Sequence, residues 1–341
     1  MARKMKAAVA RGFGRPLAIE DVPVPEPGPG QVLVKVAACG VCHSDVHAVD
    51  GDWPLKPKIP FIPGHEGVGV VAELGPGVGR VREGDPVCVP WLHHACGTCE
   101  YCTTGWEPLC PGQTNTGYNV DGGYAEYVLA EAAFVGLLPK DPDFVAMAPI
   151  ACAGVTTYKG VKETEARPGE WLIVSGVGGL GHVAVQYARA MALRVGAIDV
   201  ADEKLELARS LGAEFAVNAH AGDAVAEVIE RTGGGAHGVL ATAASVASFT
   251  QAVAMARPRG TVALCGLPAG DFPTPIFDVV LKRITIRGSI VGNRQDLSEA
   301  VAFAASGQVK ATVHSAPLED VNDVFARLKA GEIDGRMALI P

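Results

Sequence analysis

Short runs in which apolar and polar residues alternate occupy the first part of the chain, to about residue 150, and this pattern predicts β-strands. The runs are Met5–Ala10, Gln31–Ala37, Gly67–Leu74 and Asp85–Val89. Between the first two, segment 22–30 has proline at every second position, and proline cannot continue a helix. Because helical periods are few and glycine and proline are frequent, this part is predicted to form an irregular antiparallel β-barrel.

From about Cys152 onward, apolar runs alternate with segments of helical spacing. Trp171–Ser175 is predicted to be a strand, Gly181–Met191 a helix and Arg194–Asp199 a second strand. The alternation continues in segments 203–211, 216–217, 225–231, 238–241, 249–256 and 261–266. Such alternation is typical of βαβ units that form a parallel sheet. A strand, two helices and a last strand are then predicted at 284–288, 297–306, 318–330 and 337–340.

The change of pattern divides the chain into two predicted domains. Its 341 residues are enough for two hydrophobic cores. We expect the β-rich domain to comprise residues 1–153 and 288–341, and a doubly wound parallel sheet to comprise residues 154–287. The predicted fold class is therefore α/β, with the parallel-sheet domain inserted late in the β-rich domain.

Composition and charge restrict the partners that the chain is expected to have. Lys and Arg number 29 and Asp and Glu 37, so the net charge is 29 − 37 = −8. An acidic chain with scattered basic residues is not expected to bind nucleic acid or an anionic membrane. The uncharged segments 171–188 and 232–256 are interrupted by glycine and polar residues, so they are expected to be buried elements rather than membrane spans. No apolar segment follows the basic N-terminus, so no signal peptide is expected.

Nine cysteines are present, and four lie within fifteen residues in the spacing C-x2-C-x2-C-x7-C: Cys96, Cys99, Cys102 and Cys110. Four thiolates on one loop can surround a tetrahedral cation, and zinc sites of this type are structural. An iron–sulfur cluster is an alternative, because ferredoxin-type runs begin with this spacing but close with a shorter gap. Disulfides are a third interpretation, although an odd number of cysteines favours a reducing cytoplasm. The loop therefore predicts a bound metal, zinc first.

A glycine-rich turn with the pattern G-x-G-x-x-G follows the strand 171–175; it comprises Gly176, Val177, Gly178, Gly179, Leu180 and Gly181. These glycines permit a tight turn, the approach of a pyrophosphate and close packing of the next helix, whose N-terminus favours phosphate. Asp199 ends the next strand, 23 residues after Gly176. Its carboxylate is expected to accept hydrogen bonds from ribose hydroxyls and to repel a 2′-phosphate. The turn therefore predicts a dinucleotide site that prefers NAD to NADP.

Other segments also contain residue types that bind metals. Residues 39–47 read Cys-Gly-Val-Cys-His-Ser-Asp-Val-His, and residues 63–67 read Pro-Gly-His-Glu-Gly. Cys152 is isolated at the predicted domain junction, and an isolated cysteine is more often a buried thiol than a ligand. Two cysteines and one histidine with an open fourth position nevertheless form one known type of catalytic zinc site.

Taken together, these motifs resemble those of the zinc-dependent medium-chain alcohol dehydrogenases, most closely the bacterial, ethanol-type branch. The shared motifs are C-G-V-C-H-S-D at 39–45, G-H-E-G-V-G at 64–69, the four-cysteine spacing, the glycine-rich turn, G-S-I-V-G at 288–292 and G-R-M at 335–337. The resemblance covers essentially the whole chain. It implies a GroES-like catalytic domain with a structural-zinc lobe at about 92–112, and a Rossmann domain that binds NAD.

The resemblance implies two zinc ions per chain. The ligands of the catalytic ion would be Cys42, His65 and Cys152, and those of the structural ion would be the four cysteines of the loop. Glu66 would lie beside the catalytic ion as a neighbouring or transient ligand. Asp45 would orient the zinc-binding histidine. Ser44 and His47 would relay the proton.

The resemblance also implies which residues contact cofactor and substrate. Besides the turn and Asp199, the implied cofactor contacts are His43, Thr156, Lys204, Gly266, Leu267, Val291 and Arg336. Among them, His43 and Arg336 would lie near the phosphates, Lys204 near the ribose and Thr156 near the nicotinamide. An apolar substrate wall is expected from Trp53, Trp91 and Leu267.

The implied activity is the reversible, NAD-linked oxidation of primary and secondary alcohols to aldehydes and ketones, by hydride transfer from a zinc-bound alkoxide. A polyol or aryl-alcohol dehydrogenase is an alternative within the family. A zinc-free reductase would have no use for Cys42 and His65, and a zinc-loop binding module would require a basic surface. The resemblance further implies a homotetramer that acts on small alcohols and aldehydes, and the cysteine content indicates that it is cytoplasmic.

Overall fold

The structure is a computed structural model that describes residues 3–341. Within them the chain forms two compact units, each with a hydrophobic core of its own. The first unit comprises the residues to Cys152 together with Asn293–Ala305 and Ala311–Pro341. The second unit comprises Ala153–Gly292 and Ser306–Lys310.

Short strands are the main regular elements of the first unit before residue 152. They are β1 (Lys4–Val9), β2 (Ala18–Pro23), β3 (Gln31–Val41), β4 (Glu66–Leu74), β5 (Pro86–Val89), β6 (Leu92–His94), β7 (Thr114–Asn115), β8 (Tyr127–Glu131) and β9 (Gly136–Leu137). The helices in this part are α1 (His43–Asp50), α2 (Glu100–Thr103) and α3 (Phe144–Met147), with 3-10 turns at Glu107–Leu109 and Ala148–Ala151.

The pairing of β3 with β4 brings distant parts of the sequence together. The two strands are antiparallel, and Gly40 lies opposite Glu66. Cys42 directly follows β3, and His65 directly precedes β4. Because the end of one strand lies beside the start of the other, these two residues are neighbours in space.

The second unit alternates strands and helices. Its strands are β10 (Trp171–Ser175), β11 (Arg194–Asp199), β12 (Phe215–Asn218), β13 (Ala236–Ala241), β14 (Ala256–Leu264) and β15 (Thr285–Gly288). Its helices are α4 (Ala153–Glu163), α5 (Gly181–Ala190), α6 (Asp202–Ser210), α7 (Ala224–Thr232), α8 (Val246–Met255) and α9 (Ile276–Lys282). The strands form one parallel sheet in the order β12-β11-β10-β13-β14-β15.

This strand order creates a crevice at the carboxyl end of β10. β11 pairs with one edge of β10, and β13, which comes later in the chain, pairs with its other edge. Ligands of doubly wound sheets bind where the strand order reverses in this way. The glycine-rich turn directly follows β10, and Asp199 ends β11, so both lie at this crevice.

The end of the chain completes the first unit with α10 (Arg294–Ala305), β16 (Val313–Pro317), α11 (Val321–Ala330) and β17 (Arg336–Ile340), and with a 3-10 turn at Leu318–Asp320. β17 pairs with β3 and β16, so the seven-stranded sheet runs β16-β17-β3-β4-β5-β9, with β8 also paired to β3. Most pairings in it are antiparallel. The predicted α/β fold class, with a β-rich part and a doubly wound parallel sheet, is confirmed.

Apolar periodicity did not predict β2 and predicted β3 too short. The predicted loop 22–30 is wrong at its start, because Val22 and Pro23 belong to β2. The residues of β2 are half-buried or exposed, so they show no apolar alternation, and pairing with β1 stabilises the strand. β3 also extends beyond the predicted Ala37 to Val41.

No single helix within residues 3–341 is both long and apolar enough to cross a membrane. One pair of consecutive helical segments, Phe144–Ala151 and Ala153–Glu163, meets the criteria of length and composition only when the two are taken together across a bend. Ala148–Ala151 and eight residues of α4 are buried within the protein.

Candidate active site and metal centres

The three predicted ligands of the catalytic zinc converge within the first unit. Cys42 lies between β3 and α1, His65 precedes β4, and Cys152 follows the 3-10 turn Ala148–Ala151. Together with Glu66 they offer four ligand atoms that lie within 4.8 Å of one another. Nε2 of His65 is 3.3 Å from Sγ of Cys152. One cation can contact all of these atoms, because zinc binds sulfur at about 2.3 Å and imidazole nitrogen at about 2.0–2.1 Å.

The buried carboxylate of Asp45 fixes the orientation of the His65 ring. Oδ1 accepts a hydrogen bond from Nδ1 of His65 at 2.7 Å and another from the backbone N–H of Gly64 at 3.1 Å. Oδ2 accepts the backbone N–H of Cys42 at 3.0 Å. Because this network assigns one ring proton to Nδ1, Nε2 is the nitrogen that faces the ligand cluster and that can bind a metal once it is deprotonated.

The electrostatics of the cluster favour a cation. A hydrogen bond from Cys152 lowers the pKa of Cys42 well below its ordinary value, and the same bond raises the pKa of Cys152. Burial alone would lower the pKa of His65, but the Asp45 carboxylate raises it well above its ordinary value. The cluster therefore retains protons on groups that would release them to a bound metal.

Glu66 forms a buried ion pair with Arg336. Its Oε1 accepts a hydrogen bond from Nη2 of Arg336, and burial raises the pKa of Glu66 to about 7. Its Oε2 is buried and accepts no hydrogen bond from the residues that the structure describes. A Cβ atom at Gly40 would lie 1.9 Å from this oxygen, so only glycine leaves room for it. A buried carboxylate oxygen without a donor is suited to a nearby cation.

The predicted relay residues lie on α1. Oγ of Ser44 is 3.7 Å from Sγ of Cys42. His47 lies three residues further on, with Nδ1 2.9 Å and 3.0 Å from the carboxylate oxygens of Asp52, and its ring stacks on Trp53 at 5.3 Å. Asp52 belongs to none of the motifs, so sequence reasoning missed it. Its carboxylate orients the His47 ring.

Trp53 and Trp91, two residues of the predicted substrate wall, belong to one aromatic cluster. Their ring centroids are 6.4 Å apart, and Trp91 meets the His65 ring edge-on at 5.0 Å. Tyr118 packs against the two tryptophans at 5.9 Å and 5.5 Å. Tyr118 lies in a loop without apolar periodicity, so the sequence pattern gave no signal for it. Leu267, the third predicted wall residue, lies in the second unit and is exposed.

The sulfur atoms of the four-cysteine loop also converge, and all lie within 4.8 Å of one another. The backbone N–H of Cys99 is hydrogen-bonded to Sγ of Cys96, and the backbone N–H of Cys96 to Sγ of Cys110, each at 3.4 Å. Hydrogen bonds from Thr98 lower the pKa of Cys96 to about 5. All nine cysteines are free thiols, so the disulfide interpretation is wrong.

Glu107 fastens this lobe to α10. Its buried carboxylate accepts hydrogen bonds from the backbone N–H of Arg294 at 3.1 Å and from Nε of the same residue at 2.8 Å. Nδ2 of Asn293 donates to the carbonyl oxygen of Gly105 at 2.8 Å. Because Arg294 begins α10, the negative charge of Glu107 also lies at the positive end of the helix dipole.

The glycine-rich turn has a shape suited to a pyrophosphate. Gly176 has a φ of +96°, and a Cβ there would collide with Ala243. A Cβ at Gly181 would lie 1.8 Å from the carbonyl oxygen of Gly176. At Gly178 the Cβ position has nothing within 4 Å. Two glycines are therefore required by packing, whereas the third leaves space that a ligand can occupy.

Asp199 lies directly beside this turn. Its Oδ2 accepts a hydrogen bond from the backbone N–H of Val177 at 2.6 Å, and its Oδ1 accepts one from the backbone N–H of Val200 at 2.8 Å. These bonds fix the carboxylate at the carboxyl end of β11. The pairing of the turn with an acidic strand end is the arrangement that the spacing predicted.

The remaining predicted cofactor residues are spread over several elements. In the second unit they are Thr156 (buried in α4), Lys204 (half-buried in α6), and Gly266 and Leu267 (after β14). Val291 has a φ of +40°, a left-handed conformation that is rare for β-branched residues and that occurs preferentially at functional sites. In the first unit, His43 is exposed at the start of α1, and Arg336 is buried at the start of β17. The roles of these residues stay predictions.

Two family models match the chain: "alcohol dehydrogenase GroES-like domain" over residues 28–140 and "zinc-binding dehydrogenase" over residues 179–306. An alcohol dehydrogenase of Rhizobium meliloti (strain 1021) is 60% identical over 335 residues, which cover 98% of either chain. The crystal structure of an alcohol dehydrogenase from Aeropyrum pernix matches with a TM-score of 0.90 and 39% identity, covering 98% of this chain and 100% of that one. An acetophenone reductase from Geotrichum candidum, solved with NAD, matches with a TM-score of 0.88 and 29% identity, covering 100% and 98%.

The chain belongs to the zinc-binding alcohol dehydrogenase family. The predicted family, the GroES-like and Rossmann-type domains and the enzyme class are thereby confirmed. Because the match to an alcohol dehydrogenase spans nearly the whole chain, the zinc-loop binding module is excluded.

The residues of this alcohol dehydrogenase fit zinc at two places. The four-cysteine cluster has the donor set of a structural site, closed to substrate. The other cluster has two sulfur atoms, one imidazole nitrogen and a carboxylate oxygen without a donor, as a catalytic site with an exchangeable position requires. The two clusters therefore differ in the chemistry that they allow.

Proposed function

We propose that this chain catalyses the reversible oxidation of primary and secondary alcohols to aldehydes and ketones with NAD. The observation that carries the proposal is the convergence of Cys42, His65 and Cys152 beside the Glu66 carboxylate. The aromatic cluster against His65 supports substrates with an apolar substituent rather than polyols. We further propose that the two compact units correspond to the predicted domains, 1–153 with 288–341 and 154–287.

In this proposal, Cys42, His65 and Cys152 hold the catalytic zinc, and the four-cysteine lobe holds the structural zinc. A bound zinc ion lowers the pKa of an alcohol hydroxyl and polarises a carbonyl oxygen. Asp45 keeps Nε2 of the His65 ring turned towards the cluster. Glu66 supplies a nearby carboxylate that can approach the metal or withdraw from it.

Ser44 and His47 are proposed to move the substrate proton towards solvent. Ser44 has its hydroxyl beside Cys42, and His47 lies one turn further along the same helix. The His47 ring is half-exposed, and Asp52 orients it through Nδ1. This leaves Nε2 to accept a proton and release it to water.

NAD is proposed to bind at the crevice of the parallel sheet. Gly178 leaves room for the pyrophosphate, and the N-terminus of α5 stabilises its negative charge. Asp199 would accept hydrogen bonds from the adenosine ribose, with Lys204 as a further ribose contact. His43 and Arg336 are proposed to lie near the phosphates and Thr156 near the nicotinamide. The other proposed cofactor contacts are Gly266, Leu267 and Val291.

A homo-oligomer, in the form of a homotetramer, is proposed from the exposed apolar face of α9. Ile276, Phe277, Val280 and Leu281 are between 64% and 80% exposed. β15, the next strand, lies at the edge of the parallel sheet. An apolar patch beside a sheet edge is suited to a second copy of the same chain, which buries the patch and extends the sheet.

A cytoplasmic location is proposed from the nine free thiols.

Changing Cys42 to serine tests the catalytic zinc site. Replacing a residue that only supports a metal ligand typically lowers activity by about 10–100-fold. Loss of a ligand itself is therefore expected to lower kcat/KM for alcohols by more than about 100-fold. NADH binding, measured by fluorescence, should persist, because the glycine-rich turn and Asp199, the core of the proposed dinucleotide site, lie in the second unit. Cys88→Ser, at a buried cysteine outside both cysteine clusters, is the control and should retain activity. Wild-type turnover in Cys42→Ser would refute the assignment.

Changing Asp199 to glycine tests the choice of cofactor. Removal of the carboxylate removes both the ribose acceptor and the repulsion of a 2′-phosphate. The ratio of kcat/KM with NAD to that with NADP should fall at least about tenfold, the change that 1.4 kcal/mol produces. Asp202→Asn, three residues further on, should leave the ratio unchanged. An unchanged ratio in Asp199→Gly would contradict the proposed role.

Light scattering coupled to size-exclusion chromatography tests the oligomer. Wild type is expected to have the mass of four chains, and Phe277→Asp should dissociate it because a charge replaces a buried apolar contact. Leu55→Asp, at an equally exposed apolar residue of the first unit, should keep the wild-type mass. A monomeric wild type, or a Phe277→Asp variant of unchanged mass, would overturn the proposal.

A further inference from the structure

Tyr124 is a fully buried residue of the first unit that belongs to none of the motifs. Its hydroxyl donates a hydrogen bond to Oδ2 of Asp45 at 3.0 Å. The same hydroxyl is 3.5 Å from the carbonyl oxygen of Gly40. Tyr124 therefore contacts the carboxylate that orients His65, although it contacts none of the ligand atoms by hydrogen bonding.

The Asp45 carboxylate has four acceptor positions, and the structure provides a donor for each of them. Oδ1 receives the His65 ring N–H and the Gly64 backbone N–H, while Oδ2 receives the Cys42 backbone N–H and the Tyr124 hydroxyl. An ionised carboxylate can accept about four hydrogen bonds. The hydroxyl of Tyr124 thus supplies the last donor, and it is the one donor on Oδ2 that comes from a side chain.

The backbone around Tyr124 also supports the loop that carries His65. Its N–H donates to the carbonyl oxygen of Pro63 at 3.1 Å, and the N–H of Gly123 donates to that of Gly64 at 2.7 Å. The ring of Tyr124 fills the space at Gly64, where a Cβ would lie 2.5 Å from its Cδ1 atom. Phe325 packs edge-on against the ring with a centroid distance of 6.2 Å. The hydroxyl is therefore held in place independently of Asp45.

We propose that Tyr124 is a positioning residue of the catalytic zinc site, and that its hydroxyl acts by locking the Asp45 carboxylate. This inference rests on the proposed function, since it concerns the site assigned to the catalytic zinc. Loss of the hydroxyl leaves a buried carboxylate oxygen short of one donor, so the three remaining donors hold the carboxylate less firmly. The orientation of the His65 ring is then less restricted, and groups that orient a metal-binding histidine support metal affinity by about 10–100-fold.

The test is the zinc affinity of Tyr124→Phe, which removes the hydroxyl and keeps the ring. Zinc is titrated with a chromophoric chelator, and the structural zinc in the same chain serves as an internal reference. We expect affinity at the catalytic site to fall about 10–100-fold, with unchanged affinity at the four-cysteine site. Tyr187→Phe, at an equally buried tyrosine of the second unit, is the matched control and should change neither affinity.

A double-mutant cycle with Asp45→Asn separates positioning from a general structural effect. If Tyr124 acts through Asp45, its replacement should change the catalytic-site affinity by less than about threefold in the Asp45→Asn background, because interacting residues are non-additive. Equal effects in both backgrounds, an unchanged affinity in Tyr124→Phe, or equal weakening at both zinc sites would overturn the inference. A wild-type chain that holds no catalytic zinc would instead refute the proposed function.

Discussion

The hydrogen bond between the Asp45 carboxylate and Nδ1 of His65 is the interaction on which the rest of the site depends. It lies at 2.7 Å in a buried environment and sets which ring nitrogen faces the cluster. A buried carboxylate is costly unless its acceptor positions are filled. Here the donors come from three separate parts of the chain, so the fold and the site stabilise each other. The Asp45 carboxylate also raises the pKa of His65, so the ring stays protonated beside Cys42 until a metal displaces the proton.

Strand pairing and missing side chains create the space in which this interaction operates. The β3–β4 register brings residues 42 and 65 together, and β17 adds Arg336 from the far end of the chain. Gly40 leaves room for the Glu66 carboxylate, and Gly64 leaves room for Tyr124. In the second unit, Gly178 likewise leaves open space, at the place proposed for the pyrophosphate of the cofactor. Absent Cβ atoms are thus as important to both sites as the polar groups.

Much of the fold could be predicted from local patterns, and much of the site could not. Strands such as 171–175 and 194–199 have the predicted bounds, because apolar runs and glycine turns are local signals. The four-cysteine cluster was also visible, because its ligands are close in sequence. Cys152 lies 87 residues from His65 and was implied only by family resemblance, since tertiary pairing decides its position. Tyr118 and Tyr124 carried no signal for the same reason.

The chain is proposed to hold two zinc sites of different character, one closed by four sulfur atoms and one built around His65. Native mass spectrometry of purified wild type and of His65→Ala tests it most directly, because it counts the metal ions on each chain. The account predicts two zinc ions on the wild-type chain and one on the variant, with the remaining ion in the four-cysteine lobe. A wild-type chain with fewer than two zinc ions, or with iron, would contradict it, as would a variant that keeps both.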